Sequence, residues 1–333
     1  MIARSPAPTH TLPAWQRIAA EAIRDPEELW HRLRLPLASL PAARRAAETF
    51  GLRVPEPFLA RMRPGDPEDP LLRQVLPAAA EHAHDPAFDL DPVGDGAAHS
   101  APALLRKYHG RALLLASGAC AVHCRYCFRR HYPYHEAGAG HWEAALEAIA
   151  ADPTVEEVIL SGGDPLSLTD GRLDTLLDRL EAIPHLQRLR LHTRQPIVIP
   201  QRVTPELVGR LTASRLQAVV VLHANHPNEF DGAVEAACRQ LRATGATLLN
   251  QAVLLAGIND SVATQAALAR RLFDAGVLPY YLHALDRVSG ARHFESPVDP
   301  GELMAGLRSR LPGYLVPSLV RENAGAPYKQ PLA

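Results

Sequence analysis

The stretch CAVHCRYCFRR, residues 120–130, decides how this chain folds and works. It places Cys120, Cys124 and Cys127 in one short loop with C-x3-C-x2-C spacing. Three thiolates can hold a [4Fe-4S] cluster and leave one iron without a protein ligand, whereas a cluster that only transfers electrons normally has four ligands. An iron with an open position can bind another molecule. The loop therefore predicts a cluster that takes part in chemistry.

A structural zinc ion is the alternative interpretation of the same loop. The three cysteines with His123 or His131 would form a Cys3His set, and such sites use similarly short spacings. A zinc-stabilised protein that binds a ligand without catalysis therefore remains a second hypothesis at this point. The fourth cysteine, Cys238, lies in a helical stretch far from the loop, and we expect it to be a small buried residue.

Composition narrows the class of protein. The chain has 333 residues, 47% of them apolar, and its 35 Lys and Arg residues balance 36 Asp and Glu residues. This balance gives no basic surface for nucleic acid or an anionic membrane. The first 13 residues, MIARSPAPTHTLP, lack the pattern of a signal peptide, and no apolar run is long enough to span a bilayer. We expect a cytoplasmic protein with neither nucleic acid nor a membrane as its partner.

Three regions are predicted along the chain. Residues 1–100 are rich in Pro, Ala and Arg and contain amphipathic segments, with Asp25 before Pro26 as a helix start, so they predict a helical N-terminal domain. This domain ends in a connector over residues 81–100, which has no periodicity. Residues 101–315 are expected to form the main domain and residues 316–333 a C-terminal tail.

The main domain alternates short apolar strands with longer helical segments. Six of each are predicted, and the strands begin at Ala112, Glu156, Gln187, Gln217, Ala246 and Leu278. This alternation is typical of parallel strands with helical crossovers, which form either a barrel or an open doubly wound sheet. No dinucleotide-binding or Walker motif is present in the sequence.

Polar side chains follow the predicted strands at the points where they end. The cysteine loop follows the first strand, and the others are Ser161 to Pro165, His192 to Arg194, His223, Asn225, His226, Asn250, Gln251, His283 and Asp286. Each of these residues alone has an ordinary structural explanation. Because the carboxyl ends of parallel barrel strands meet at one rim, their joint placement predicts an active site there.

Several strings in the chain resemble the lysine 2,3-aminomutase family of radical S-adenosylmethionine (SAM) enzymes. They are RKYHGRALLLASGACAVHCRYCFRR, VILSGGDPL, LHANHPNEF, NQAVLLAGIND and PYYLHALDRVSGARHF, and the likeness runs from about residue 105 to the C-terminus. The resemblance implies a partial (β/α)6 TIM-type barrel. It also implies three cofactors: a [4Fe-4S] cluster, SAM and pyridoxal 5'-phosphate (PLP).

The resemblance assigns a role to each matching residue. It implies that Cys120, Cys124 and Cys127 bind the cluster, and that Lys329 binds PLP covalently. Arg129 would pair with the substrate α-carboxylate, while Asp286 and Glu322 would hold a distal ammonium. The remaining cofactor-binding residues that it implies are Tyr108 for PLP, and Arg111, Ser161, Gly162, Gly163, Asp164, His223 and Gln251 for SAM.

The implied reaction moves the amino group of L-lysine from the α to the β carbon. Because the chain stops at Ala333, it resembles the short branch of the family, whose (R)-β-lysine is passed to a ligase that modifies elongation factor P. A reductant such as flavodoxin or ferredoxin is expected as a further partner. A metabolic aminomutase that makes a free β-amino acid from lysine or glutamate is the closest alternative.

Overall fold

A computed structural model describes residues 12–333 of the chain. The expectation that the N-terminus carries no signal peptide falls mostly on residues 1–11, which lie outside the described residues. Within residues 12–333, no helix has both the length and the apolar character needed to cross a lipid bilayer.

The N-terminal region is helical, as the sequence predicts. Its helices are α1 (Ala14–Ala20), α2 (Pro26–Leu33), α3 (Leu40–Thr49) and α4 (Glu56–Leu59). Asp25 caps α2, because its carboxylate accepts a hydrogen bond from the backbone N–H of Glu27 at 2.9 Å. Buried Trp30 and Phe58 contribute to the apolar core that holds these short helices together.

One sheet of ten strands forms the main body of the protein. The strands, in chain order and also in spatial order, are β1 (His99–Ala101), β2 (Leu104–Leu105), β3 (Arg111–Ser117), β4 (Glu157–Gly162), β5 (Arg188–Thr193), β6 (Gln217–His223), β7 (Thr247–Val253), β8 (Leu278–His283), β9 (Ser318–Arg321) and β10 (Gln330–Pro331). Strands β3 to β9 are parallel, and the pairs at both ends are antiparallel. The partial barrel is confirmed: the strands follow one another in chain order without the reversal of a doubly wound sheet, and the free edges β1 and β10 leave the barrel open.

The six predicted strands correspond to β3 through β8. Helices follow them as crossovers: α5 (Glu143–Ala150), α6 (Asp170–Glu181), α7 (Gln195–Val198), α8 (Pro205–Ala213), α9 (Gly232–Ala243), α10 (Val262–Asp274) and α11 (Pro300–Arg308). Strand β4 is buried along nearly its whole length, as expected for a parallel strand covered on both faces. The predicted boundaries at residues 100 and 315 stay predictions.

The N-terminal region packs directly on the cysteine loop. Ala121 and Val122 belong to the same apolar cluster as the N-terminal helices. The loop backbone is held as well: the N–H of His123 donates to the carbonyl of Arg53 at 3.0 Å, and the N–H of Arg125 donates to that of Gln74 at 2.9 Å. The helical region therefore acts as one wall of the cysteine loop.

Candidate active site

A cavity of about 600 Å³ opens at the carboxyl ends of the parallel strands. This volume falls in the range of small-molecule sites. Every residue to which the resemblance assigns a role lines it: Cys120, Cys124, Cys127, Tyr108, Arg111, Arg129, Ser161, Gly162, Gly163, Asp164, His223, Gln251, Asp286, Glu322 and Lys329. Three other polar residues predicted at the rim do not line it: Asn225, His226 and Asn250. The structure thus brings the residues with an assigned role together at one rim.

All three cysteines of the loop line this cavity. Burial, followed by the nearby charge of Cys124, raises the pKa of Cys127 to about 11, and burial raises the pKa of Cys120 well above its usual value. Three thiolates in such a place are costly unless a cation shares their charge. The thiols therefore fit a positively charged iron centre as a donor set.

Gly162 is the last residue of β4 and Gly163 follows it. Both lie close to the backbone that leads into the cysteine loop. A Cβ atom on Gly162 would lie 2.3 Å from the carbonyl oxygen of Ser117, and one on Gly163 would lie 2.4 Å from that of Ala119. Gly162 also has a φ of +116°, which side-chain-bearing residues rarely adopt. Only glycine lets β4 approach the loop this closely.

Asp164 joins the ends of two strands. Its carboxylate accepts hydrogen bonds from Thr193 Oγ1 at 2.8 Å and from the N–H of Arg194 at 2.8 Å, as well as from the N–H groups of Gln195 and Leu166. With this many donors, the carboxylate has little capacity left for a cofactor. The geometry favours a role in fixing the rim rather than in contacting SAM.

A chain of alternating charges runs across the cavity. Asp95 accepts from Arg129 Nε at 2.6 Å and pairs with Lys107 at 2.6 Å. Lys107 in turn donates to Glu322 at 2.8 Å, and Glu322 also pairs with Lys329. Burial alone would raise the pKa of Glu322, but the two lysines overcome this effect and hold it at about 2. Glu322 is therefore anionic.

Lys107 and Lys329 are the only lysines in the whole chain, in which the other basic side chains are arginines. Three acceptors converge on the ammonium of Lys107 and explain why a lysine stands at this position. They are the carbonyl of Val93 at 2.9 Å and the carboxylates of Asp95 and Glu322. Three acceptors suit a compact ammonium and not a planar guanidinium. An amine at Lys329 is needed if this residue is to bond covalently to a carbonyl, because a guanidinium stays protonated.

Asp286 lines the same cavity. Among the described residues its carboxylate accepts no hydrogen bond and forms no ion pair. Burial, followed by the nearby charge of Glu322, raises the pKa of Asp286 to about 7. A buried carboxylate without a partner is a place where a cation from a substrate would be bound strongly.

His223 is held by Tyr126, a residue of the cysteine loop. The Tyr126 hydroxyl accepts hydrogen bonds from Arg194 and Asn225, each at 2.7 Å. The same oxygen lies 2.8 Å from His223 Nε2 and 3.3 Å from Gln74 Oε1, and its proton can be donated to either. Burial also lowers the pKa of His223 well below its usual value. Burial therefore favours the neutral form of His223.

Arg111 and Gln251 also line the cavity. Within the described residues, the side chains of both lack a hydrogen-bond partner, and Nε of Arg111 is buried. The guanidinium of Arg111 lies 5.1 Å from the ring centre of Tyr108. This unpaired guanidinium suits an anionic group of a bound cofactor, such as a phosphate or a carboxylate.

The two histidines considered as zinc ligands both face backbone carbonyls. His123 Nδ1 lies 2.7 Å from the carbonyl oxygen of Gly51, and His131 Nε2 lies 3.0 Å from that of Ser289. In residues 12–333, no group of three or more His, Cys, Asp and Glu side chains is arranged around a single metal ion.

Comparison with known proteins identifies the family. A family profile described as a 4Fe-4S single cluster domain matches residues 109–187. The L-lysine 2,3-aminomutase of Escherichia coli (strain K12) is 50% identical over 323 residues, which are 96% of this chain and 94% of that protein. Its counterpart from Haemophilus influenzae is 48% identical over 95% of this chain and 94% of that protein.

The chain belongs to the L-lysine 2,3-aminomutase family. The L-lysine 2,3-aminomutase of Clostridium subterminale is a more distant relative, 34% identical over 96% of this chain and 77% of that protein. A solved radical SAM methyltransferase from Sphaerobacter thermophilus aligns with a TM-score of 0.45 and 21% identity over 67% of this chain and 71% of that one. Members of the aminomutase family are isomerases, and their cofactors are a [4Fe-4S] cluster, SAM and PLP.

The residues of the cavity fit these aminomutase cofactors. The buried thiols suit the cluster, the unpaired Arg111 suits an anionic group, and Lys329 is the one lysine whose ammonium is not saturated by acceptors. Its side chain is 21% exposed, so it is not an ordinary surface charge.

Two charged residues of the aminomutase site were missed by the sequence reasoning. Asp95 and Lys107 pair with predicted site residues, yet Asp95 lies in the stretch that was expected to be a connector. No motif surrounds Asp95 in the sequence. Lys107 did carry a signal, because lysine is so rare in this chain.

Proposed function

We propose that this protein converts L-α-lysine to (R)-β-lysine, which a separate ligase then attaches to elongation factor P. The observation that carries the proposal is the placement of Arg129 and the acidic pair Asp286 and Glu322 in one cavity with Lys329. Arg129 offers a planar donor for the α-carboxylate, and the acids offer acceptors for the distal ammonium. Together they fit a substrate with an anionic and a cationic end.

Each side chain would then have a defined task. Arg129 is oriented by Asp95 and by Ser161, whose Oγ accepts from Arg129 at 3.1 Å, so its remaining face is available to a carboxylate. Asp286 would receive the ε-ammonium, and Glu322 would share it once Lys329 is engaged elsewhere. When bound, the cluster and SAM supply the radical chemistry, and PLP supplies the π system through which the amine migrates.

The acidic end of the cavity argues against glutamate as the substrate. A distal carboxylate would face Asp286 and Glu322, and like charges in a buried site repel strongly. A substrate without a distal ammonium would also leave the carboxylate of Asp286 unpaired. We therefore favour lysine over glutamate.

Delivery of the product to elongation factor P is part of this proposal and rests on the family resemblance. A metabolic role, in which free β-lysine is the end product, uses the same site and is the competing proposal. We further propose flavodoxin or ferredoxin as the reductant of the cluster.

Mass spectrometry of elongation factor P tests the cellular role. Deleting the gene should remove an adduct with the mass of a lysyl group from the factor, and supplying β-lysine to the deletion strain should restore it. An unchanged factor mass, together with loss of cellular β-lysine, would support the metabolic role instead.

A further inference from the structure

Arg194 contacts the cysteine loop from the end of β5. Its side chain is 6% exposed, and its Nη1 donates to Cys124 Sγ at 2.7 Å and to the Tyr126 hydroxyl at 2.7 Å. Cys124 is one of the three proposed cluster ligands. Arg194 is therefore a fixed cation in direct contact with a sulfur that would bind iron.

The other side of the same guanidinium is anchored by two acceptors. Nη2 donates to Gln74 Oε1 at 2.6 Å and to Glu229 Oε2 at 3.0 Å. Glu229 is itself immobilised, since its other oxygen accepts from the N–H groups of Asn225 at 2.8 Å and His226 at 3.1 Å. All four terminal N–H groups of Arg194 thus have an acceptor, so the guanidinium cannot rotate away from Cys124.

We infer that Arg194 is a positioning residue that donates a hydrogen bond to the Cys124 thiolate and thereby raises the reduction potential of the bound cluster. The inference rests on the proposed assignment of the three cysteines to a [4Fe-4S] cluster. Hydrogen bonds to the sulfurs and nearby positive charge both stabilise the reduced cluster, because reduction adds negative charge to it. Arg194 supplies both in a buried place.

A merely structural role makes a different prediction. Arg194 also links β5 to Gln74 of the N-terminal region, so its loss could lower stability without touching the cluster. In that case the potential of a correctly loaded cluster would stay unchanged. The potential therefore separates the two roles.

The experiment compares Arg194→Gln with Arg202→Gln in the full chain after anaerobic cluster reconstitution, without SAM. Arg202 is equally buried and also lies on the barrel, but it donates to the carbonyl of Leu166 at 2.7 Å and pairs with Asp170. A reductive titration followed by electron paramagnetic resonance should show a lower midpoint potential for Arg194→Gln and the wild-type value for Arg202→Gln.

An unchanged potential in Arg194→Gln with a full iron complement overturns the inference. Failure of the wild-type chain to bind iron at all overturns the cluster assignment instead, so the two failures can be told apart. If Arg194→Gln does not load its cluster, wild-type protein with ¹⁵N confined to its guanidinium groups gives the answer. The reduced cluster should then show ¹⁵N hyperfine coupling, and its absence would overturn the inference.

Discussion

Lys107 and Lys329, the only lysines of the chain, bind the same carboxylate, that of Glu322. The two lysines approach it from opposite ends of the sequence, one before β3 and the other before β10. Lys107 binds only fixed acceptors, so it would keep Glu322 charged if Lys329 were bonded to PLP as proposed. Under the proposed function, this arrangement would let one carboxylate pair first with Lys329 and then with a substrate ammonium.

Borohydride reduction of the PLP-loaded protein should attach the cofactor to Lys329. The reason is that Lys107 is saturated by three acceptors, whereas Lys329 has Glu322 alone. Peptide mapping is decisive here, because only two lysine side chains can be labelled. An adduct on Lys107 would contradict the assignment, and Lys329→Ala should lose the adduct altogether.

Replacing Lys107 by arginine should lower kcat/KM for lysine by about tenfold or more. A planar guanidinium cannot satisfy three convergent acceptors, so Glu322 and Asp95 would shift or lose a partner. Steady-state kinetics with lysine measures the effect. The matched control is Arg179→Lys, which makes the reverse exchange at an exposed position of α6 and should leave kcat/KM unchanged. Wild-type kinetics in Lys107→Arg would contradict the role given to Lys107.

The activity should depend on the ionisation of Asp286. Since its pKa is raised to about 7, Asp286 is charged above that pH and neutral below it. Only the charged form attracts the ε-ammonium, so kcat/KM for lysine should fall as the pH drops below about 7. A pH profile of kcat/KM measures this ionisation in the free enzyme. Asp286→Asn should have a lower kcat/KM and should lack this acidic limb, and a retained limb would exclude Asp286 as its source.

Gly162→Ala should reduce the iron content of the reconstituted protein. The new Cβ would lie 2.3 Å from the carbonyl oxygen of Ser117 and would strain the backbone that leads into the cysteine loop. Gly209→Ala, in α8, is the control, because a Cβ there meets nothing within 4 Å. It should stabilise the protein by about 0.5–1 kcal/mol, as alanine does in a helix interior. Equal iron contents in the two variants would show that the close approach is unimportant.

The regular part of the fold could be predicted from the sequence, because β3 to β8 are short segments with apolar or alternating apolar residues, separated by helical segments. Strands β1, β2 and β10 are two or three residues long, and β9 has four. Such short strands cannot show a recognisable alternation of apolar and polar residues. These strands form because they pair with the edges of the sheet, as β10 of the C-terminal tail does with β9.

The cysteine loop and the family motifs likewise predicted the candidate site residues that line the cavity. The partners of those residues could not be predicted, because ion pairs such as Asp95 with Arg129 join stretches that have no fixed spacing. The same holds for Arg194: the sequence places it at the rim of the barrel, but it does not show the contacts of Arg194 with Cys124 and Glu229. Such contacts depend on the tertiary structure alone.

The central claim is tested most directly by following the nitrogen of the substrate. The reconstituted protein, with PLP, SAM and a reductant under anaerobic conditions, is given L-lysine labelled with ¹⁵N at the α position. We predict β-lysine with the label on the β carbon, detected by nuclear magnetic resonance, and loss of this product in Lys329→Ala. Cleavage of SAM without any labelled β-lysine, or turnover of glutamate in place of lysine, would contradict the account.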